Sequence, residues 1–171
     1  SGHLIGFLLA PLMIVLWGRA RSRSEAFAVA LGYYLATGRG LVIGAGVFFG
    51  DSTSLPHPIP GLLLWLGYAV LISAGWTMTW GSRAKALRLI LALLLISIPP
   101  LGIVGGFNPL LSAGLFFPGL GWIGLCLIIS WFCVLVTIPT RAIVTLPFAA
   151  IALIANTVYR APALPNWSSI D

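Results

Sequence analysis

The chain has 171 residues, of which 60% are hydrophobic and only 7% are charged, and its mean hydropathy is +1.08. An ordinary soluble domain is about one-quarter charged, so this composition excludes that class and predicts an integral membrane protein. The formal charge of +6 comes from nine basic residues, which are split among short clusters between apolar runs rather than gathered on one face. This distribution argues against a nucleic-acid-binding protein.

Long apolar runs predict an all-α bundle of about six transmembrane helices, since a helix needs about 20 residues to cross the hydrocarbon core. The runs occupy residues 4–17, 26–50, 59–80, 89–106, 119–138 and 142–159. The first run is short, so we expect either a half-spanning helix or a chain that lacks a preceding segment. The sequence thus divides into a polytopic membrane domain, 1–158, and a tail or linker, 159–171.

The second run, residues 26–50, is interrupted by Gly38, Arg39 and Gly40. A charged group inside a membrane span costs several kcal/mol by most estimates, which makes Arg39 a candidate for binding a substrate or a lipid phosphate. The alternative is that its long side chain reaches the outer headgroups and only anchors the helix. Whether the run crosses once or forms two half-helices stays open.

Residues 99–122 contain four prolines, six glycines and no charge. Proline lacks the N–H donor and glycine is costly to order, so this stretch cannot form one continuous helix. Its many leucines and phenylalanines do not suit a solvated loop either. The stretch therefore predicts a re-entrant or interfacial connection shielded by neighbouring helices. Asn108, which precedes Pro109, is predicted to cap the turn that follows.

Basic clusters follow the first, third and fifth runs, and none follows the second or fourth. They comprise Arg19, Arg21 and Arg23, then Arg83, Lys85 and Arg88, and finally Arg141. Basic residues are enriched in short cytoplasmic loops, so all three clusters are predicted to lie inside the cell. Residues 99–122 and the carboxyl tail would then lie on the periplasmic side of a bacterial inner membrane.

The sequence contains no recognisable catalytic constellation. His3 and His57 have no second ligand at metal spacing, and there is no phosphate-binding glycine loop or nucleophile–base motif. Cys126 and Cys133 lie in an apolar run and are interpreted as small core residues. We therefore expect no catalytic residue, no metal and no cofactor in this chain.

Three segments resemble the amino-terminal membrane region of the TraB family of conjugal transfer proteins, which is similar to apolipoprotein N-acyltransferases. They are GRGLVIGAGVFFG (38–50), IPPLGIVGGFNPLLSAGLFFPGLGWIGL (98–125) and the final PNWSSID. The resemblance implies membrane helices that precede a periplasmic nitrilase-like, or carbon-nitrogen hydrolase, domain with a Glu, Lys and Cys triad. It also implies a phospholipid acyl donor. This chain is expected to stop where that domain would begin, so none of the triad can be assigned to it.

On this resemblance, the chain would anchor a periplasmic domain and admit a lipid substrate laterally. The candidate lipid- or substrate-binding residues are Arg39, Phe107, Asn108, Phe116, Phe117 and Trp122. Interfacial anchoring explains the aromatic residues equally well. The alternative function is a non-enzymatic assembly subunit of a secretion or conjugation apparatus, or a small transporter. Expected partners are membrane lipids and proteins of the conjugation machinery, without nucleic acid, and whether the parent is an enzyme stays open.

Overall fold

The computed structural model describes residues 3–49, 58–104, 107–138 and 142–160, and every regular element in these ranges is helical. The prediction of an all-α fold is thus confirmed for the described residues. The α-helices are α1 (His3–Arg19), α2 (Arg23–Thr37), α3 (Gly40–Phe49), α4 (Pro58–Thr79), α5 (Lys85–Ser97), α6 (Leu101–Val104), α7 (Ala113–Phe116), α8 (Gly121–Thr137) and α9 (Leu146–Val158). Two short 3₁₀ helices, Pro109–Ser112 and Ala142–Thr145, precede α7 and α9.

The predicted number of membrane spans is too high. Among the described helices only α4, over Ile59–Thr79, is long and apolar enough to cross a membrane by itself. A second candidate is the pair Pro109–Phe116 and Gly121–Thr137, which is bent by 119°. The runs 26–50 and 89–106 are divided into shorter helices at glycine and proline positions, because these residues interrupt the i to i−4 hydrogen-bond ladder or weaken it. The helices α1 and α8 are continuous but have only 17 residues each. About six full spans are therefore corrected to one or two.

The second apolar run forms two helices, α2 and α3, which are separated by Gly38 and Arg39. Gly38 ends α2 by donating its N–H to the Tyr34 carbonyl at 2.9 Å. In an unbroken helix the Leu35 carbonyl would accept from the N–H four residues later, but here it accepts from Trp65 Nε1 at 3.0 Å. An indole from α4 thus satisfies a carbonyl that the break leaves free.

The centre of the bundle is an aromatic cluster contributed by α1, α2 and α4. The ring of Trp17 meets that of Trp76 edge-on at 5.4 Å, and Trp76 Nε1 donates to Tyr34 Oη at 2.8 Å. Tyr34 in turn contacts Tyr33 and Tyr68 with centroid distances of 5.0 and 5.7 Å. The edge-to-face ring contacts and the hydrogen bond of the Trp76 indole stabilise these large aromatic side chains in the interior. The cluster therefore determines how the three helices pack.

The basic turns of the described chain lie together at one end of the bundle. Lys85 Nζ donates to the Gly18 carbonyl at 2.6 Å, and Trp80 Nε1 donates to the Trp17 carbonyl at 3.3 Å. These bonds join the end of α1 to the connection between α4 and α5. A Cβ on Gly18 would lie 3.2 Å from the Val136 Cα, so α8 also ends here. We call this region the basic end, comprising Arg19, Arg21, Arg23, Arg83, Lys85 and Arg88; Arg141 lies outside the described residues.

The uncharged stretch lies at the opposite end of the same helices. Tyr33 Oη, more than two turns along α2 from the basic end, donates to the Phe107 carbonyl at 3.3 Å. Asn156, near the end of α9, donates through Nδ2 to the carbonyls of Leu115 and Phe116 at 3.1 Å each. We call this region, residues 107–120 with the end of α9, the loop end.

The outer surfaces of α4, α5 and α9 are strongly apolar. Large hydrophobic side chains are exposed along each of these helices, including Leu63, Leu94 and Leu153. Soluble monomers rarely expose contiguous apolar patches larger than a few hundred Å². Together with the span-length helix α4, this surface favours association with a membrane.

Candidate functional site

Asn108 closes the first turn of the loop end, as the sequence predicts. Its Oδ1 accepts the Leu110 N–H at 3.0 Å, which caps the 3₁₀ helix that begins at Pro109. Its Nδ2 donates to Ser97 Oγ at 2.8 Å. Because both ends of the amide are used within the chain, Asn108 joins the loop end to α5, and this contact favours a structural role for it.

Phe107 contacts the aromatic cluster. Its ring meets that of Tyr68 at a centroid distance of 6.1 Å, while its carbonyl accepts from Tyr33. Phe107 therefore connects the loop end to the core of the bundle.

The other predicted aromatic residues do not form one continuous surface. Phe116 is half-buried and meets the ring of Trp131 edge-on at 5.0 Å, and Trp131 is stacked on Phe148. Phe117 is buried, with 2% exposure, whereas Trp122 is 82% exposed at the start of α8. Of the set, Trp122 alone has the exposure expected of an interfacial anchor.

An open depression of about 280 Å³ occupies the loop end. It is lined by Ala113, Gly114, Phe117, Pro118, Gly119, Gly121 and Tyr159. Gly119 has a φ of +76°, and a Cβ there would approach the Tyr159 ring to 2.9 Å. Both the left-handed backbone and the close ring require glycine at this position.

Tyr159 lines the depression, and no sequence pattern predicts this position for it. It follows α9, about 40 positions after the glycines that it faces. Asn156 holds this wall in place, because its Nδ2 bridges α9 to the carbonyls of Leu115 and Phe116. A lone asparagine in an apolar helix was the available signal, since such a polar group commonly bonds to a neighbouring helix.

Arg39 lies in the two-residue turn between α2 and α3, and its side chain is exposed. It is located beyond Tyr33 on α2, and therefore on the loop-end side of the bundle. An exposed guanidinium at a helix break is available to a phosphate or carboxylate, and it is equally able to extend to headgroups. The two roles proposed from the sequence thus both remain compatible with its position.

Cys126 differs from its predicted role as a core residue. It is exposed on α8, whereas Cys133, seven positions later, is half-buried. Both thiols are free. The apolar run around them misled the prediction, because the outer face of α8 is as hydrophobic as its inner face.

The described chain is therefore a helical protein with an apolar exterior, one strongly basic end and a largely uncharged opposite end. Over 170 residues it is 35% identical to a protein named Probable conjugal transfer protein TraB from Sinorhizobium fredii. The alignment covers 98% of this chain and 40% of that protein. It is 33% identical to Conjugal transfer protein TraB from Agrobacterium fabrum, in an alignment of 196 positions that covers all of this chain and 42% of that protein.

These two relatives support the resemblance to TraB proteins across the whole chain. The chain spans about two-fifths of the length of each. Their names refer to conjugal transfer and not to acyl transfer. No family model matches the sequence, and no solved structure matches it either.

Proposed function

We propose that this chain is the membrane module of a TraB-type conjugal transfer protein in the bacterial inner membrane. The observation that carries the proposal is the polarity of the bundle. Lys85 and Gly18 bring two basic turns to one end, while α4, α5 and α9 expose apolar side chains. With the positive-inside preference, the basic end is cytoplasmic, and the loop end and carboxyl tail are periplasmic.

The specific role we propose is to anchor a periplasmic nitrilase-like domain and to admit its lipid substrate. This role rests on the resemblance to apolipoprotein N-acyltransferases. The depression beside Tyr159 supports it, because it is apolar in most of its lining and Tyr159 directly follows α9 in the sequence, before the carboxyl tail. Phe117 would contact the substrate there, and the exposed Arg39 would bind an anionic headgroup on the same side of the membrane.

One observation favours the alternative of a non-enzymatic assembly subunit. The depression has a volume of about 280 Å³, below the usual range of about 300–1,000 Å³ for pockets that enclose a drug-sized ligand. A whole phospholipid therefore does not fit inside it, and only part of an acyl chain would be held. In this alternative the exposed apolar faces contact other membrane subunits of the transfer apparatus.

We expect the two ends of the bundle to react with thiol reagents from opposite sides of the membrane. In a Cys126→Ala, Cys133→Ala background, Gly114→Cys should be labelled by an impermeant maleimide in intact cells. Ser24→Cys and Ser82→Cys should be labelled only after the inner membrane is permeabilised. A Cβ at Gly114 meets open space, and both serines are exposed, so these changes should leave the fold intact. Equal labelling of Ser82→Cys and Gly114→Cys from one side would contradict the proposed topology.

Arg39→Ala is expected to reduce plasmid transfer about tenfold or more while leaving the protein inserted in the membrane. The guanidinium is exposed, so its loss removes an anion-binding group without opening a cavity. Arg39→Lys should restore transfer only in part, because lysine lacks the planar fork that binds phosphate at two points. Donor-to-recipient transfer frequency and membrane abundance should be measured together.

Arg160→Ala is the matched control for this experiment, because Arg160 is also exposed and also lies after a helix that ends at the loop end. It should transfer plasmid at a near-normal frequency. Normal transfer by Arg39→Ala would assign Arg39 to anchoring alone.

A further inference from the structure

Two arginine-bearing turns that are far apart in the sequence meet at the basic end. The turn between α1 and α2 carries Arg21, and the turn between α4 and α5 carries Arg83. They meet because Lys85, on the first turn of α5, donates Nζ to the Gly18 carbonyl at the end of α1. This bond and the one from Trp80 Nε1 to the Trp17 carbonyl place the positive charges of both turns at the same end of the bundle.

Two of the cations at this end are used inside the protein. Lys85 caps α1, and Arg88 donates through Nη1 to the carbonyls of Thr79 and Trp80 at 3.3 and 3.4 Å, which caps α4. Cations at helix C-termini satisfy free carbonyls and the helix dipole. A Cβ on Gly81 would lie 2.5 Å from the Arg88 guanidinium carbon, so the turn is shaped around this cap.

Three arginines of the basic end project outward. Arg21, Arg23 and Arg83 are exposed, and their side chains have no ion-pair or hydrogen-bond partner among the described residues. The acid group closest in sequence, Glu25, accepts the Arg21 backbone N–H through Oε2 at 2.7 Å in a local helix cap, and its single charge offsets at most one of these three arginines. The outward face therefore carries a net positive charge.

This charged face borders the apolar exterior of the bundle. Leu16 precedes the first turn, and Met78 and Leu87 flank the second; all three are exposed large hydrophobic side chains. A water-soluble acidic protein or a nucleic acid would meet the charges but not the adjacent apolar surface. A phospholipid offers both, since its phosphate lies directly above its acyl chains.

We propose that Arg21, Arg23 and Arg83 form a binding surface for the phosphates of anionic phospholipids. This inference deepens the proposed membrane function and rests on it. The surface binds lipids with a net negative headgroup in preference to zwitterionic ones, because a choline or ethanolamine cation offsets the phosphate charge. Lipid binding at this end also holds the bundle in its orientation, with the basic end in the more anionic leaflet.

The test is the association of spin-labelled phosphatidylglycerol with the full chain reconstituted in phosphatidylcholine bilayers, compared with spin-labelled phosphatidylcholine. We expect wild-type protein to select phosphatidylglycerol several-fold. A juxtamembrane arginine contributes about 1 kcal/mol, or roughly fivefold, at most. The triple variant Arg21→Gln, Arg23→Gln, Arg83→Gln should therefore select neither lipid, and wild-type selectivity should weaken as salt is raised.

Two controls test whether the effect comes from charge and whether it depends on where the charge lies. The triple variant with lysine at the same three positions keeps the charge and should retain most of the selectivity. Arg160→Gln removes one charge from the opposite end and should match the wild type, whereas Arg83→Gln should lower the selectivity about twofold or more. Unchanged selectivity in the triple glutamine variant would overturn the proposal.

Flotation of the same vesicles distinguishes failure of this inference from failure of the membrane function. Protein that floats with the vesicles but shows no preference for phosphatidylglycerol overturns the lipid surface alone. Failure of the protein to incorporate into the vesicles overturns both the lipid surface and the proposed membrane function. Arginine-dependent binding of a single-stranded oligonucleotide, without lipid selectivity, would assign the surface to nucleic acid and likewise overturn the proposal.

Discussion

Replacing Trp76 with alanine should lower the free energy of unfolding by about 3–5 kcal/mol, the usual cost of truncating a large buried aromatic residue. Trp76 has 0% exposure, contacts Trp17 edge-on and donates its indole N–H to Tyr34. Alanine would leave a cavity between three helices and remove the donor from a buried hydroxyl. The measurement is denaturant unfolding in detergent micelles, followed by the helical circular dichroism signal.

Trp122→Ala is the matched control, since it deletes the same side chain from a position that is 82% exposed. It should change the free energy of unfolding by less than about 0.5 kcal/mol. Tyr34→Phe tests the hydrogen bond separately and should cost about 1 kcal/mol, because the ring stays in place. Equal destabilisation by the two tryptophan variants would contradict the central position assigned to Trp76.

Gly61→Ala is expected to force α3 and α4 apart and to destabilise the protein by about 1–3 kcal/mol, the range for overpacked sites. A Cβ at this position would overlap the Val42 carbonyl oxygen and lie 2.9 Å from its carbon. Both atoms belong to the backbone, so no side-chain rotation relieves the overlap. The close approach is typical of small residues at membrane helix interfaces.

Gly67→Ala, on the same helix, is the control, and it should change the free energy of unfolding in the opposite direction or not at all. A Cβ at Gly67 meets nothing within 4 Å, and alanine is the better helix former by about 1 kcal/mol. We expect Gly67→Ala to be neutral or stabilising in the same unfolding measurement. Destabilisation of equal size in both variants would indicate that helix contact is not the reason glycine is needed at Gly61.

The candidate site was only partly predictable from local sequence. Asn before Pro is a local turn signal that predicts Asn108 as a cap, and its hydrogen bond to Leu110 confirms that prediction. Aromatic character and closeness in sequence predict one shared site for Phe107, Phe116 and Trp122. They separate because Phe107 packs on Tyr68 and Phe116 on Trp131, contacts that depend on other helices.

The count of membrane spans failed for a related reason. Composition measures how apolar a run is, and it does not locate the residue at which the helix bends. The break after Thr37 is stabilised by the Trp65 indole, which lies about 30 residues away in the sequence. A glycine pair permits such a break, but only the partner helix decides whether the break forms.

The sequence by itself determined the helical class, the apolar exterior and the alternation of basic and uncharged turns, because each depends on residue type and spacing alone. The tertiary structure decided which of those residues work together. Lys85 caps α1, Tyr159 faces Gly119, and Trp76 bonds to Tyr34. Each of these pairs joins residues that are at least 40 positions apart. Such pairs arise from helix packing, which acts across space and leaves no periodic signal along the chain.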